Sequence, residues 1–402
     1  MRDKKRRILL VMHSIPVDSG FLATKFIKLN ERYDVHLLCW DKPENIDLFM
    51  ETYRLPADFR KRIHLGNSKH FNIFKVLYCL LVCFFGSSRV RRYLFGYKEA
   101  FTKKLKFIIK YLPALFIHPV VVHFEFGTLA KQGLRLKQLT GAKLVASFRG
   151  YDLNYTGLDD VGYYKEVWTE IDAVHFLGAD IKKRAVARGY VGSEYEALIP
   201  PGIDLKVFNT VVKASKFEVD TLHIVSVGRL VWKKGYEYAI RAVARLKEKN
   251  IPFAYHIIGD GPHRQALEFT VHELQLQENV VLCGAMNAAE VKNELGIAQV
   301  FLQPSISEGF SNAVVEAQAM GLPVICSDAD GLPENVANNI TGFVTPKWDE
   351  QAIADKLEWC WQHKNELLAM GKAGQQRVAT YFTQEQQLDA FAELYNKLLS
   401  PA

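Results

Sequence analysis

Short apolar runs alternate with longer segments of helical spacing along nearly the whole chain, and no other feature narrows the possible folds as far. The runs Arg6–Met12, Tyr33–Trp40, Val120–Phe124, Lys143–Phe148, Ala173–Leu177 and Ala197–Ile199 are rich in consecutive apolar residues. Strands of that kind are buried on both faces, which requires parallel sheets covered by helices on each side. After Pro200-Pro201-Gly202 and a polar stretch reaching Asp220, the alternation restarts at Leu222–Val227, Ala254–Ile258, Val280–Leu282, Val300–Gln303 and Val324–Cys326. The expected fold class is α/β, with doubly wound domains at 1–204 and 205–382 and a helical segment, 383–402, long enough to return to the first domain. With 402 residues and 49% apolar content the chain can bury two cores.

Cys39, Cys79, Cys83, Cys283, Cys326 and Cys360 form neither a CxxC pair nor a histidine-paired metal spacing, so reduced thiols and no structural metal are expected. Ile8–Met12, behind the basic N-terminus, is too short for a secretory leader, and the longest apolar run, Val76–Phe85, falls short of the ~20 residues of a spanning helix. These features predict a cytoplasmic protein. Between residues 60 and 118 thirteen Lys or Arg oppose Glu99 alone, giving that segment +12 and the remainder −5 of the overall +7. A polyanionic surface is the expected partner, and the interleaved Phe, Leu and Ile favour anionic lipid over nucleic acid. Phe101, Leu105, Ile108 and Leu112 recur at helical spacing with Lys103, Lys106 and Lys110 on the opposite side. Such a basic amphipathic helix suits a membrane surface or packing on its own domain. The nearly continuous apolar run from Phe71 to Phe85 favours the membrane.

The second half carries the chemistry. Ser307-Glu308-Gly309-Phe310-Ser311-Asn312-Ala313-Val314-Val315-Glu316-Ala317 sets two carboxylates around a glycine turn. Ala298–Leu302 reads as the strand before it, and Ser311 or Asn312 as the N-cap of a helix reaching Met320. Glu308 then lies in a loop and Glu316 in the helix, beside unpaired N–H groups that attract phosphate. Leu222–Val227 exits into Gly228-Arg229-Leu230-Val231-Trp232-Lys233-Lys234-Gly235, where a forked guanidinium and an ammonium suit the two phosphates of a nucleoside diphosphate. Gly259-Asp260-Gly261-Pro262 and Gly284 end two further strands, as expected where backbone approaches a base or ribose. Any one of these alone is better explained as ordinary surface. Together they are four strand ends of one half, directed at one crevice.

In chain order, Gly228-Arg229-Leu230 with Lys234-Gly235, Gly259-Asp260-Gly261-Pro262, Glu308-x7-Glu316, Gly321-Leu322-Pro323-Val324-Ile325 and Gly331-Leu332-Pro333-Glu334 resemble the retaining GT-B glycosyltransferases of family four. The first half resembles, more loosely, capsular and exopolysaccharide transferases of the colanic-acid type. That likeness runs through Gly20, His123-Phe124, Ser147-Phe148-Arg149-Gly150-Tyr151-Asp152 and Pro201-Gly202-Ile203-Asp204. The resemblance implies two Rossmann-like domains facing across a cleft, with the final helix crossing back to the first. It places a nucleotide diphosphate sugar on the second domain and the acceptor on the first, with no cofactor and no obligatory metal.

By the same resemblance Arg229 and Lys234 hold the donor diphosphate, Glu316 the ribose hydroxyls, and Glu308 stands beside the transferred sugar. Gly309 and the amides of Phe310, Ser311 and Asn312 would hold sugar and phosphate, Gly259, Gly261 and Gly284 would line the donor site, and Gly20 would let a first-domain loop close on the diphosphate. His123, Arg149 and Asp152 are the first-domain candidates. Arg149 stands where many members carry histidine; it stays charged and cannot act as a neutral imidazole or a base. Glu308, Arg229, Lys234 and Arg149 are thus the candidate catalytic groups. The implied activity is retaining transfer of a hexose from a UDP- or GDP-linked donor to a hydroxyl of a lipid-linked or oligosaccharide acceptor. Its setting would be cell-surface polysaccharide synthesis, peripherally at the inner face of the membrane. Nucleotide-sugar epimerisation, phosphorolysis and a non-catalytic sugar-nucleotide or membrane-binding module remain alternatives. A nicotinamide oxidoreductase is not expected because no GxGxxG follows the first strand, and nucleic-acid binding would leave the second-half motifs unexplained.

Overall fold

Strands with no polar face find their partners in the middle of a covered sheet. The computed structural model describes residues 5–17, 20–66, 77, 81–82, 84–96 and 99–400. Arg7–Val11 (β1), Asp34–Cys39 (β2), Ile63–Leu65 (β3), Val121–Phe124 (β4), Lys143–Phe148 (β5), Ala173–Phe176 (β6) and Glu196–Leu198 (β7) form one parallel sheet in the order β3-β2-β1-β4-β5-β6-β7. Leu222–Val227 (β8), Phe253–Ile258 (β9), Val280–Gly284 (β10), Val300–Gln303 (β11), Val324–Ser327 (β12) and Gly342–Thr345 (β13) form the second, β10-β9-β8-β11-β12-β13, also parallel. The central strands β4, β6, β11 and β12 are buried at every residue, as parallel strands under two helical layers must be. The winding reverses between β1 and β4 in one sheet and between β8 and β11 in the other. A reversal opens a crevice beyond the carboxyl ends of the two strands concerned.

The chain divides into two units, residues 1–176, 183–199 and 388–402 in the first and 177–182 and 200–387 in the second. Membership of 388–402 in the first unit follows from the final helix, Gln384–Leu399. Leu388, Phe391, Leu394, Tyr395 and Leu398 fall on one helical face and lie in the same core as Ile8, Leu10, Phe26 and Val121. The helices Glu350–Gln362 and Lys364–Tyr381 instead give Ile353, Leu357, Leu367 and Met370 to the core of the second unit. Two edge strands, β3 and β13, were not anticipated. They have three and four residues, and an edge position asks for too little burial to leave a periodic pattern.

The basic segment corrects one expectation. Its helix, Phe101–Lys110, buries Ile108 but also Lys104, whose ammonium donates to the Leu94 carbonyl at 2.9 Å, while Phe101 is 53% exposed. Lys103 and Lys106 are exposed, but Lys110 is half-buried: it donates to Gln132 Oε1 at 2.7 Å and sits over the Trp40 ring. Lys110 therefore does not share a free cationic face with the other two. Most of the apolar run expected at Phe71–Phe85 falls outside the described residues. Among the described residues no helix is long and apolar enough to cross a membrane.

Candidate functional site

The loops leaving β8, β9, β10 and β11 are tied together by their own backbones. Gly235 has φ +66° and starts the helix Tyr236–Glu248; a Cβ there would meet the Pro304 carbonyl oxygen at 2.1 Å, so only glycine lets the β8 loop lie on the β11 loop. The Ile306 amide then donates to the Lys233 carbonyl at 2.7 Å. Gly259, φ +140°, brings the β9 loop equally close, since its Cβ would stand 2.0 Å from the Gly228 oxygen. The Leu230 amide donates to the Asp260 carbonyl and the His263 amide to the Leu230 carbonyl. The Gly259 amide reaches the Gly284 carbonyl at 2.8 Å, which attaches the β10 loop, and the Gly261 amide is turned onto Asp260 Oδ1.

Within this frame the Lys234 ammonium pairs with Glu308 Oε2, both side chains 13% exposed. Glu308, Lys234, Arg229 and Asp330 lie within electrostatic reach of Lys233; burial lowers the pKa of Lys233, and Glu308 works against that. The Tyr236 hydroxyl, next to Gly228, has no hydrogen-bond partner among the described residues, and burial raises its pKa. Two residues missed in the sequence hold the Glu308 loop. Asp330 accepts from the Ser307 hydroxyl and from the Glu308 amide at 3.2 Å, and Asn335 brackets Ser311, accepting from its amide at 3.2 Å and donating to its carbonyl at 3.0 Å. Their signal was present only as the family-like run Gly331–Glu334 between them.

Ser311 caps the helix Asn312–Ala319 by accepting from the Val314 amide. The amides of Gly309, Phe310, Asn312 and Ala313 donate to no described residue, leaving two N–H groups at the positive end of a helix and two in the loop just before it. Glu316 lies in the second turn of that helix, and its carboxyl has no hydrogen bond from a described residue. Desolvation pushes its pKa up to about 7. The second unit thus assembles three cations (Arg229, Lys233 and Lys234), a set of free amides and three carboxylates, of which Glu308 is paired with Lys234 and Glu316 is desolvated. That inventory suits a diphosphate joined to hydroxyl-rich groups. Among the described residues no group of three or more His, Cys, Asp or Glu is placed to hold a metal ion.

In the first unit the switch point between β1 and β4 holds a buried ionic cluster. Glu125, fully buried just after β4, accepts from Lys25 Nζ at 2.5 Å on one oxygen and from Arg149 Nη2 at 2.8 Å on the other. Burial would raise the Glu125 pKa, but the two cations bring it below its ordinary value; burial lowers Lys25 to about 8. Arg149 also donates from Nε to the Glu125 carbonyl and lies over the Phe21 and Phe126 rings. Lys25 and Glu125 were not foreseen as partners of Arg149.

Two first-domain expectations need correcting. His123 is 0% exposed and both ring nitrogens are used, one by the Tyr395 hydroxyl at 2.6 Å and one by Ser147 Oγ at 2.7 Å, so it cannot face an acceptor. Ser147 continues to His175, and His175 to the Ile199 carbonyl. Asp152, also 0% exposed, accepts from the Thr128 and Arg149 amides, each at 3.0 Å, and burial raises its pKa to about 6. Both residues support the backbone that carries Glu125 and Arg149. Gly20 opens the helix Gly20–Leu29, exposed and with open space where a Cβ would stand.

Comparison with known proteins adds an independent line. A family model described as glycosyl transferases group 1 matches residues 208–377, the span holding all four loops. The amylovoran biosynthesis glycosyltransferase of Erwinia amylovora is 31% identical over 289 residues, 69% of this chain and 70% of that protein. A GDP-mannose-dependent phosphatidylinositol monomannoside mannosyltransferase of Mycobacterium tuberculosis is 26% identical over 273 residues, 63% of this chain and 70% of the other. Among solved structures, Anabaena HepE in complex with UDP superposes with a TM-score of 0.75 over 98% of this chain and 100% of that one. At 14% identity that likeness bears on the fold alone.

Proposed function

The chain belongs to the group 1 glycosyl transferases and has their GT-B fold of two Rossmann-like units, and on that premise we propose that it moves a hexose from a nucleoside diphosphate sugar to a hydroxyl of a glycan acceptor, with retention at the anomeric carbon. The observation that carries this reading is the Lys234–Glu308 pair set beside the free amides of Gly309, Phe310, Asn312 and Ala313. As the bond to the sugar breaks, negative charge grows on the diphosphate. Lys234, Arg229 and the helix N-terminus provide fixed positive potential for it, at no reorganisation cost during the reaction. Glu308, placed by Asp330, accepts from hydroxyls of the transferred sugar. Glu316 takes the ribose hydroxyls; a desolvated carboxylate without donors gains most from two of them. The acceptor attacks from the face the diphosphate leaves, and the departing phosphate oxygen takes its proton. The cations in this scheme are side chains, so it needs no metal.

The Erwinia relative supports a role in exopolysaccharide synthesis, and the UDP complex and the GDP-mannose-dependent relative support the two candidate donor bases. A lipid-linked acceptor and peripheral attachment at the inner membrane face are supported by the +12 segment 60–118 and by its exposed Phe85, Phe95, Phe101 and Phe116. A thermal-shift panel of uridine, guanosine and adenosine diphosphate sugars identifies the donor by mass action. With that donor, Arg229→Ala or Lys234→Ala should lower kcat by about a hundredfold or more. Turnover within about twofold of wild type would remove both residues from the mechanism. Conversion of donor with no acceptor present would favour the epimerase reading instead, and release of a sugar 1-phosphate from a glycan with inorganic phosphate the phosphorylase reading.

A further inference from the structure

The amino edge of the first unit's sheet, opposite the strand ends that hold Glu125 and Arg149, carries a second polar cluster that sugar transfer does not use. Arg7 begins β1, Asp34 begins β2, and Arg62 and His64 lie at the start of β3. Asp34 collects its neighbours: Arg7 Nε at 3.3 Å, the Arg62 guanidinium, and His36 Nε2 at 3.5 Å. His36 Nδ1 and His64 Nε2 are 2.9 Å apart, so one imidazole donates to the other. These groups, with Lys61 and Asp58, line a cavity of about 580 Å³ closed on its other side by Pro113, Phe116 and Ile117. Arg7, Lys61 and Arg62 outweigh Asp34 and Asp58 by one positive charge, and by three if both imidazoles are protonated. Lys61 is exposed and pairs with no described residue. Phe116, 45% exposed, is shared with an adjoining cavity of about 180 Å³ whose walls include Val82, Val90, Leu115, Leu139 and Arg89.

We propose that this edge binds a phosphate group, carried either by a soluble phosphate ester or by an anionic phospholipid, between Arg7, Lys61, Arg62, His36 and His64. The N–H groups that Arg7 and Arg62 keep beyond those bonded to Asp34 and the Ile117 carbonyl, together with the exposed Lys61 ammonium, match the several acceptor oxygens of a phosphate. The neighbouring apolar cavity suits whatever the phosphate is attached to. Burial lowers both histidines, His64 to about 4 with a further push from His36, and the charges facing them are Asp34, Arg62 and Arg7. A dianion favours the protonated imidazoles, so binding takes up protons.

The test uses the full chain saturated with UDP or GDP, which occupies the donor loops, and follows its histidine ring resonances during titration with inorganic phosphate. The expected result is a saturable shift of the His36 and His64 signals. His64→Gln and Lys61→Ala should each weaken phosphate binding severalfold. Sedimentation with phosphatidylcholine vesicles, with and without phosphatidic acid, separates the two sources: competition between vesicle and phosphate assigns a lipid headgroup, and phosphate binding alone assigns a soluble ester. Lys61 is an exposed side chain with no ion pair to a described residue, so its replacement tests the site even if Arg62→Gln does not fold. The proposal is overturned if neither ligand moves the two histidine signals, or if Lys61→Ala and His64→Gln bind phosphate as wild type does.

Discussion

Glu316 should destabilise the empty protein, and the size of the effect follows from its surroundings. Its carboxyl titrates near 7 in the folded state instead of near 4.5, with desolvation as the cause. That difference makes the ionised form about 3 kcal/mol more costly in the folded than in the unfolded chain. The sign is opposite to that of a salt-bridged carboxylate. Here the folded state binds the extra proton, so stability is greatest below about 4.5, declines through the interval up to 7, and is fully reduced above it. Glu316→Gln keeps the shape and removes the charge. Urea denaturation of both proteins should give nearly equal stabilities at about pH 4.5 and an advantage for the variant approaching about 3 kcal/mol by about pH 8. The same substitution should weaken donor binding, because an amide cannot accept from two ribose hydroxyls as a carboxylate does. A stability difference that stays flat with pH, or a variant less stable than wild type at about pH 8, would refute the reasoning.

Glu125→Gln leaves the Lys25 and Arg149 cations facing a neutral amide in a buried site, and should cost about 3–5 kcal/mol by chemical denaturation. Gly235→Ala forces a side chain to φ +66° and against the Pro304 carbonyl; it should destabilise by at least about 1 kcal/mol and reduce nucleoside diphosphate affinity measured by calorimetry. Phe391→Ala opens a cavity beneath Lys25 and between His123 and His175, and should lower stability by about 3–5 kcal/mol in a melting experiment.

Strands such as Leu222–Val227 and Val300–Gln303 are legible in the sequence because burial on both faces demands apolar residues in succession. Ile63-His64-Leu65 and Gly342-Phe343-Val344-Thr345 are not, since an edge strand satisfies one neighbour and leaves the rest to solvent. In the site, Gly235 and Gly259 announced themselves by residue type, because close backbone approach has a local chemical signature. Asp330 and Asn335 did not: each acts across more than twenty positions on a loop whose path only the folded sheet determines. The misreading of His123 has the same origin. His123 and Glu125 are two residues apart at one strand end, and nothing in their neighbours says that the first is fully enclosed or that the second gathers Lys25 and Arg149. Lys104 illustrates the converse, a long aliphatic side chain that packs into its unit and ends on a carbonyl, where charge alone suggested solvent.

The packing of Leu388, Phe391, Leu394, Tyr395 and Leu398 in the first unit's core reverses the usual order of events on the ribosome. Domains ordinarily fold as they emerge, amino-terminal one first. Here the first unit is left with an open apolar face, and His123 without its Tyr395 partner, until residues 388–398 have followed the whole of the second unit. The second unit, nearly continuous from 200 to 387, has all it needs earlier. During that interval the first unit keeps apolar surface exposed, and a chain that stops before residue 388 leaves it uncovered and prone to aggregate.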